Sequence, residues 1–515
     1  MEGPIGLRFK FTKPIGPKDW LRFEYYTKRV RSITFSTISF DTIHPEALDE
    51  FAALRPPHEL FPRLRQFEIY GNSAQALKWT TLFMGQNVNC LVLDLDCFLH
   101  DTIKVWEEVP FRMPRLKELI LYKEGTGSRV KDLVGKIVMM LSAMKNLQAV
   151  DFPLYACTTE IMTVLSTLPS LASIDGEWTG ASSEIEDVIH FSPLLLEDAF
   201  ASLSELTLSA SVRNVARFLA SDNNSCILRK LHVYSPQLET AESIAVFISF
   251  LPRLCEDLED LQISATPTAT QVGLRCETSG ACLDILTGAA LYPLRKLLKL
   301  RCLSLEYHRV VRITEDELAD FVGNSPCLEN LFLNTSPTML YERPHLSLMA
   351  LRRVAQRCPS IRSLGLYIDA RNLCCIPDLL SEPTDNPIRF DRLEILELGL
   401  SPIEDKHAKP VARYISQLVP SYCEITSEST WSQLETKEDL DDYTMEQLDT
   451  RTTIWREEVK DLVPLLVEAR EQEREWAKKT RKDMEDLGYR HDILKEQYLN
   501  GIWPDRLSPK TCLLQ

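Results

Sequence analysis

Pro114-Arg115-Leu116-Lys117-Glu118-Leu119-Ile120-Leu121-Tyr122 contains the phrase on which the fold turns. Leu116 is followed, after two intervening residues, by the alternation Leu119-Ile120-Leu121. Alternation at period two marks a short strand: Leu119 and Leu121 point to one face, Glu118, Ile120 and Tyr122 to the other. The proline ahead of it ends the preceding helix and starts extended chain without breaking a ladder bond. Pro62-Arg63-Leu64, Pro169-Ser170-Leu171 and Pro359-Ser360-Ile361 open the phrase in the same way. It occurs thirteen times, beginning at Val30, Leu64, Val88, Leu116, Leu147, Leu171, Leu203, Leu228, Leu258, Leu300, Leu328, Ile361 and Leu393, at intervals of 24 to 42 residues. Self-similarity at that period marks stacked units that bury one continuous core together.

Between phrases the apolar period changes to 3.6. Val130, Leu133, Val134, Ile137 and Leu141 form one helical stripe; Ile244, Phe247, Ile248 and Leu251 form another. Thr314-Glu315-Asp316-Glu317 reads as a capping box ahead of Leu318, Phe321 and Val322. Each helix carries the chain back, so consecutive strands run parallel. The expected architecture is an α/β leucine-rich-repeat solenoid, a curved parallel sheet inside and helices outside. The expected divisions are a helical leader at 1–29, the solenoid at 30–425, and an acidic linker with a long charged helix at 426–515. In the leader, Trp20, Phe23 and either Tyr26 or Thr27 share a helix face. Thr266-Pro267-Thr268-Ala269-Thr270 reads as an insertion or an irregular repeat. A closing helix is expected near 407–418. In 454–499 the apolar residues Trp455, Leu462, Leu465, Leu466, Trp476, Leu487 and Leu494 do not form a regular coiled-coil seam; a helix docking one narrow face on the solenoid end is expected.

The balance of 58 basic against 74 acidic residues gives a net charge of −16. An acidic chain repels phosphate backbones, so no nucleic-acid partner is expected; basic protein segments suit it better. No run of 18 apolar residues is present, so no membrane span is expected. The beginning, Met1-Glu2-Gly3-Pro4-Ile5-Gly6-Leu7-Arg8, is not a signal segment. Fourteen cysteines without a disulfide rhythm read as small reduced core residues, which places the chain inside the cell, in cytoplasm or nucleus.

Chemistry-bearing motifs are sparse. Asp94-Leu95-Asp96-Cys97-Phe98 resembles the first motif of haloacid-dehalogenase-type phosphatases, where one aspartate attacks phosphate, the second acts as acid and base, and Mg²⁺ neutralises charge. Cys97 and Phe98 stand where that motif needs glycine and threonine, and the strand is already a repeat phrase. A Mg²⁺-dependent phosphatase using Asp94 and Asp96 is therefore the remote alternative. Gly125-Thr126-Gly127-Ser128 sits between strand and helix but lacks a third glycine and a Lys-Ser/Thr; Ser128 as a helix cap accounts for it. His100, His190, His232, His308, His345 and His407 are dispersed, and Cys374-Cys375 are adjacent. No metal, cofactor or catalytic residue is expected.

The functional expectation comes from the strands. Residues between and just after the buried positions face the concave side: Glu68, Tyr70, Asp94, Tyr122, Asp151, Asp175, Glu177, Glu205, His232, Tyr234, Glu306, Phe332 and Tyr367. Acids dominate, with recurrent aromatics; Lys230 is the exception. Aromatic anchors ringed by charge are the material of protein-binding hot spots. Same-sign charge along a groove steers a ligand of the opposite sign. A non-enzymatic protein-recognition scaffold taking up a basic segment is expected.

Asp19-Trp20-Leu21-Arg22-Phe23, Tyr26 and Lys28-Arg29-Val30-Arg31-Ser32-Ile33-Thr34-Phe35, followed by His44-Pro45 and Phe61-Pro62-Arg63-Leu64, resemble the segment after the F-box in mushroom-type fungal F-box/leucine-rich-repeat proteins. The resemblance covers about residues 1–425. It implies that the repeats act as the substrate receptor of a ubiquitin ligase. The F-box, the helical module that grips a Skp1-type adaptor, is not in this sequence, so an adaptor partner is expected only if such a module lies upstream. A free-standing repeat scaffold without a ligase link is the alternative.

Overall fold

The computed structural model describes residues 9–36, 43–70, 79–95, 103–123, 130–176, 185–221, 227–265, 284–337, 342–373, 388–427 and 442–500. The thirteen phrases all become strands, and a fourteenth follows. In chain order they are β1 (Ser32–Ser36), β2 (Gln66–Tyr70), β3 (Cys90–Asp94), β4 (Glu118–Tyr122), β5 (Ala149–Asp151), β6 (Ser173–Asp175), β7 (Glu205–Leu208), β8 (Lys230–Tyr234), β9 (Asp260–Ala265), β10 (Cys302–Tyr307), β11 (Asn330–Leu333), β13 (Ser363–Leu366), β15 (Ile395–Glu397) and β16 (Glu424–Thr426). They make one fully parallel sheet in which every strand lies beside its sequence neighbour. Two short segments, β12 (Leu346–Ser347) and β14 (Ile368–Asp369), pair separately.

Register explains why the phrase is obligatory. From β2 to β16 the central buried positions stand side by side: Phe67, Leu91, Leu119, Val150, Ile174, Leu206, Leu231, Leu261, Leu303, Leu331, Leu364, Leu396 and Ile425. All are buried. Burying one such side chain contributes about 1.5–3 kcal/mol, and the unbroken row makes the core continuous through the stack. The strands are also joined where they begin. The carbonyl of Asn89 accepts from both Lys117 and Glu118, that of Lys117 from Gln148 and Ala149, and that of Arg229 from Glu259 and Asp260. The side chains at this edge form an alternating charge ladder, with Arg301–Glu329 at 2.8 Å and Arg362–Glu394 at 2.9 Å. These pairs are exposed and contribute little individually.

Helices line the outer side. Among them, Val134–Ala143 buries Ile137, Met140 and Leu141, and Ala241–Leu254 buries Ile244, Phe247, Ile248 and Leu251. The capping box forms as the sequence implies: Thr314 Oγ1 accepts from Glu317 N at 3.2 Å, and Glu317 Oε2 accepts from Thr314 N at 2.9 Å. The 3₁₀ segment Gly288–Lys296 takes the helix position before β10. The Thr266–Thr270 stretch lies outside the described residues. Asn334, with φ of 50°, closes β11: its Oδ1 accepts from Tyr307 N at 2.9 Å and its Nδ2 donates to the Arg309 carbonyl at 2.6 Å. Gly399, φ 47°, is irreplaceable for a different reason. A Cβ there would sit 2.0 Å from the Thr335 carbonyl oxygen.

Both ends of the stack are covered. The helix Pro17–Thr27 packs Trp20 and Phe23 on Phe51, ring centroids 5.0 and 5.4 Å apart, and Phe23 continues to Phe61 at 5.9 Å. Thr27 is buried and Tyr26 is exposed, which settles the third position of that face. The closing helix runs Ala408–Leu418. Beyond it, a helix Asp442–Thr453 passes through one π turn, Ile454–Val459, into a 40-residue helix, Lys460–Leu499. Trp455, Val459, Val463 and Val467, four apart, are buried against the solenoid end. The Trp455 Nε1–H donates to the Ser401 carbonyl at 2.8 Å. From 472 onward the helix is exposed all round. Among the described residues no helix is long and apolar enough to cross a membrane.

Candidate functional site

The pleat sets three rows of side chains on the face away from the helices. The middle row passes through Thr34, Glu68, Val92, Ile120, Asp151 and Asp175, and resumes through Thr207, His232, Gln262, Ser304, Phe332, Gly365, Glu397 and Thr426. The rows differ in character along the sheet.

At the N-terminal end, Glu68 accepts from Thr34 Oγ1 at 2.8 Å and from Gln66 Nε2 at 2.7 Å. Tyr70 and Tyr122 meet edge to face with centroids 5.9 Å apart, across the intervening strand that carries Asp94. Asp94 is only 2% exposed. Burial pushes the Tyr70 hydroxyl pKa up, and the charge on Glu68 adds to it, followed by Tyr122 and Asp94. This end therefore presents an aromatic pair in a negative field. Asp94 is covered, and the second carboxylate of the phosphatase-like motif, Asp96, lies outside the described residues, as do Gly125–Ser128, His100, Cys374 and Cys375.

In the middle, Asp151 and Asp175 are direct cross-strand neighbours on β5 and β6. Asp175 accepts from Gly176 N at 2.8 Å and Thr207 Oγ1 at 3.1 Å, and Lys230 Nζ approaches it at 3.4 Å. Glu205 is exposed and takes a bond from Ser173 Oγ at 3.3 Å. Glu177 falls outside the described residues. His232 is 5% exposed, its Nε2 3.2 Å from Asp260 Oδ1. Burial of the Asp260 carboxyl favours protonation, but the hydrogen bond and charge of His232 outweigh it and hold the pKa below the usual range.

Toward the C-terminal end, Tyr234 stands beside Ser264, and Ser264 Oγ donates to Glu306 Oε2 at 2.7 Å. Burial pushes the Glu306 pKa up; the Ser264 bond opposes this, and the charge on Glu397 adds to the rise. Phe332 lies across Gly365, where a Cβ would be 2.5 Å from its ring. Tyr367 is not on the open face. It is buried with Val310, Leu400 and Leu448, under the helix that follows the solenoid. Asp94, His232 and Tyr367 thus do not offer the solvent-facing contacts that strand alternation alone suggests. Thr207, Ser264 and Thr335, not singled out by sequence, join the site by holding Asp175, Glu306 and Glu397. Only the register between units reveals them.

Among the described residues no group of His, Cys, Asp and Glu is arranged to hold a metal ion. The thiols of Cys90, Cys157, Cys302 and Cys423 are pushed up to about 12, chiefly by burial, so they stay protonated at neutral pH. They are packing residues rather than nucleophiles.

A one-strand-per-unit parallel sheet with helices on one side and an open concave face defines a leucine-rich-repeat solenoid. No protein-family model matches the chain, and no curated protein matches it significantly. Solved structures with similar folds include a chain of the Rad7 and Elc1 complex in yeast, at 14% identity and a TM-score of 0.36, covering 80% of this chain and 91% of that one. The leucine-rich repeat-containing protein LegL7 from Legionella pneumophila matches at 14% identity and a TM-score of 0.30, over 74% of this chain and all of that one (100%). A chain of the TLR13–ssRNA13 complex matches at 14% and 0.28, over 74% of this chain and 56% of that one.

Proposed function

We propose that this chain is a non-enzymatic protein-recognition scaffold, acting inside the cell, whose concave face takes up a basic segment of a partner protein. The carrying observation is the cross-strand placement of Asp151 beside Asp175, continued by exposed Glu205, with the Tyr70–Tyr122 pair upstream on the same face. Like charges directly opposite one another destabilise a sheet. A cationic ligand relieves that repulsion, and the aromatic pair supplies apolar contact. The resemblance to fungal F-box/leucine-rich-repeat proteins extends the reading: the captured protein is a ubiquitin-ligase substrate, and a Skp1-type adaptor joins only if an F-box module lies upstream.

The test uses a fluorescent Lys/Arg-rich peptide and a charge-matched acidic control. The basic peptide binds, and more weakly as salt rises, because exposed charges are screened. The double reversal Asp151→Lys with Asp175→Lys abolishes binding while far-UV circular dichroism is unchanged. Equal affinity of the variant, or equal binding of the acidic control, refutes the reading. Co-precipitation of a Skp1-type adaptor with the chain and its natural upstream sequence tests the ligase link separately.

A further inference from the structure

Among the described residues the last part of the long C-terminal helix is exposed from 472 onward, yet it is not polar all round. Trp476, Met484, Leu487, Leu494 and Tyr498 are 59–70% exposed. From Ala477 the sequence follows a heptad. Ala477, Met484, His491 and Tyr498 take one seam position, and Thr480, Leu487 and Leu494 the other, separated by three and four residues in turn. We propose that this segment pairs with the same segment of a second copy of this chain, as an antiparallel two-helix coiled coil centred between Met484 and Leu487.

Charge selects both the occupant and the direction. In an antiparallel pair the two seam positions face each other, so Met484 packs on Leu487 of the second copy, Thr480 on its His491 and Ala477 on its Leu494. Asp483, beside the seam, then meets Arg490 of the second copy, and the two-fold repeats the pair. The other flank sets Arg481 against Gly488 of the second copy. Glycine inside a helix is unfavourable relative to alanine, and beyond the helix's own nearby backbone no described atom lies within 4 Å of a Cβ built there. Facing Arg481, the small residue leaves room for the guanidinium. The parallel arrangement gives no such match, because it sets Arg490 against Lys495 of the second copy and leaves Asp483 facing Gly488. In the antiparallel register a like-charged pair, Arg474 with Lys495 of the second copy, falls outside the six packed layers.

Sedimentation equilibrium of the full chain reads the outcome. The wild type is dimeric at micromolar concentration. Asp483→Arg and Arg490→Asp each raise the dissociation constant about tenfold, since each turns two attractive pairs into repulsive ones. The double variant Asp483→Arg with Arg490→Asp restores it. An equimolar mixture of the two single variants forms the heterodimer in preference to either homodimer, which a parallel coil does not produce because residues 483 and 490 never meet in it. These surface changes leave the helix intact, so a folding defect does not confuse the reading. A monomer at high micromolar concentration overturns the proposal. So does a dimer indifferent to both single changes, or a single variant that its complementary variant fails to rescue.

Discussion

Truncating Trp455 tests whether the C-terminal extension is part of the folded solenoid. The indole is fully buried, and its N–H donates at 2.8 Å to the carbonyl of Ser401. Ser401 is itself tied in: its Oγ accepts from Ile368 N at 2.9 Å and donates to the Leu366 carbonyl at 3.3 Å. Trp455→Ala removes a large side chain from a site walled by rigid repeats, at a cost of about 3–5 kcal/mol. The orphaned Ser401 carbonyl adds about 1 kcal/mol. Trp455→Phe keeps a ring but no donor, and its loss falls to about 1–3 kcal/mol. Solenoid stability is a sum over neighbouring units, so the damage is local. Urea denaturation gives the magnitude, and hydrogen exchange gives the place. Amides of β15, β16 and the helix Ala408–Leu418 lose protection, whereas those of β2–β6 do not. A change below about 1 kcal/mol, or loss of protection spread evenly along the chain, refutes the reasoning.

Replacing Asn334 by alanine strips partners from the Tyr307 N–H and the Arg309 carbonyl at once, and leaves a side chain at positive φ. The expected loss is about 2–4 kcal/mol in chemical denaturation, with Asn334→Asp intermediate because it keeps the acceptor. Glu306 gives the pH prediction. Its folded pKa is raised above the unfolded value, so the protonated form favours the fold; its contribution is greatest below the ordinary glutamate range and is lost as pH rises through the folded pKa. Glu306→Gln keeps an acceptor for Ser264 and removes that loss. The variant melts higher than the wild type at neutral pH, and the two converge in acid; melting curves that stay parallel from acid to neutral pH contradict it.

The repeat was legible because its determinants are local. Leu116, Leu119 and Leu121 carry their own alternation, and twelve similar phrases leave one way to stack. The charged helix was less legible because two faces are superposed in it. Trp455, Leu462, Leu465 and Leu466 belong to the part near the solenoid, whereas Leu487 and Leu494 belong to the exposed part beyond 472, where the proposed seam differs. Summed over 454–499 they look aperiodic. Burial of Val459, Val463 and Val467 and exposure from 472 onward separate the two.

The concave face was half legible for a related reason. Strand alternation says which way a side chain points, and the register puts Glu68, Asp151 and Asp175 in one row of the sheet. What covers that side chain comes from units a whole repeat away. Tyr70 and Tyr122 close over Asp94, and Leu448, from the helix after the solenoid, helps bury Tyr367. Charge is subject to the same correction. Asp175 is met by Lys230, 55 residues later, and Asp260 by His232, so the field along the groove is weaker there than the acid count implies. Two places keep an excess of acid: Asp151 directly faces Asp175, so one lysine there meets two carboxylates, and the charge on Glu397 adds to the burial that raises the Glu306 pKa. In the proposed complex a cation gains most at those two places, and a basic segment long enough to reach both spans β5 to β15. At about 4.8 Å per strand that is far more than a single side chain covers, which is why the proposed partner is a segment of protein.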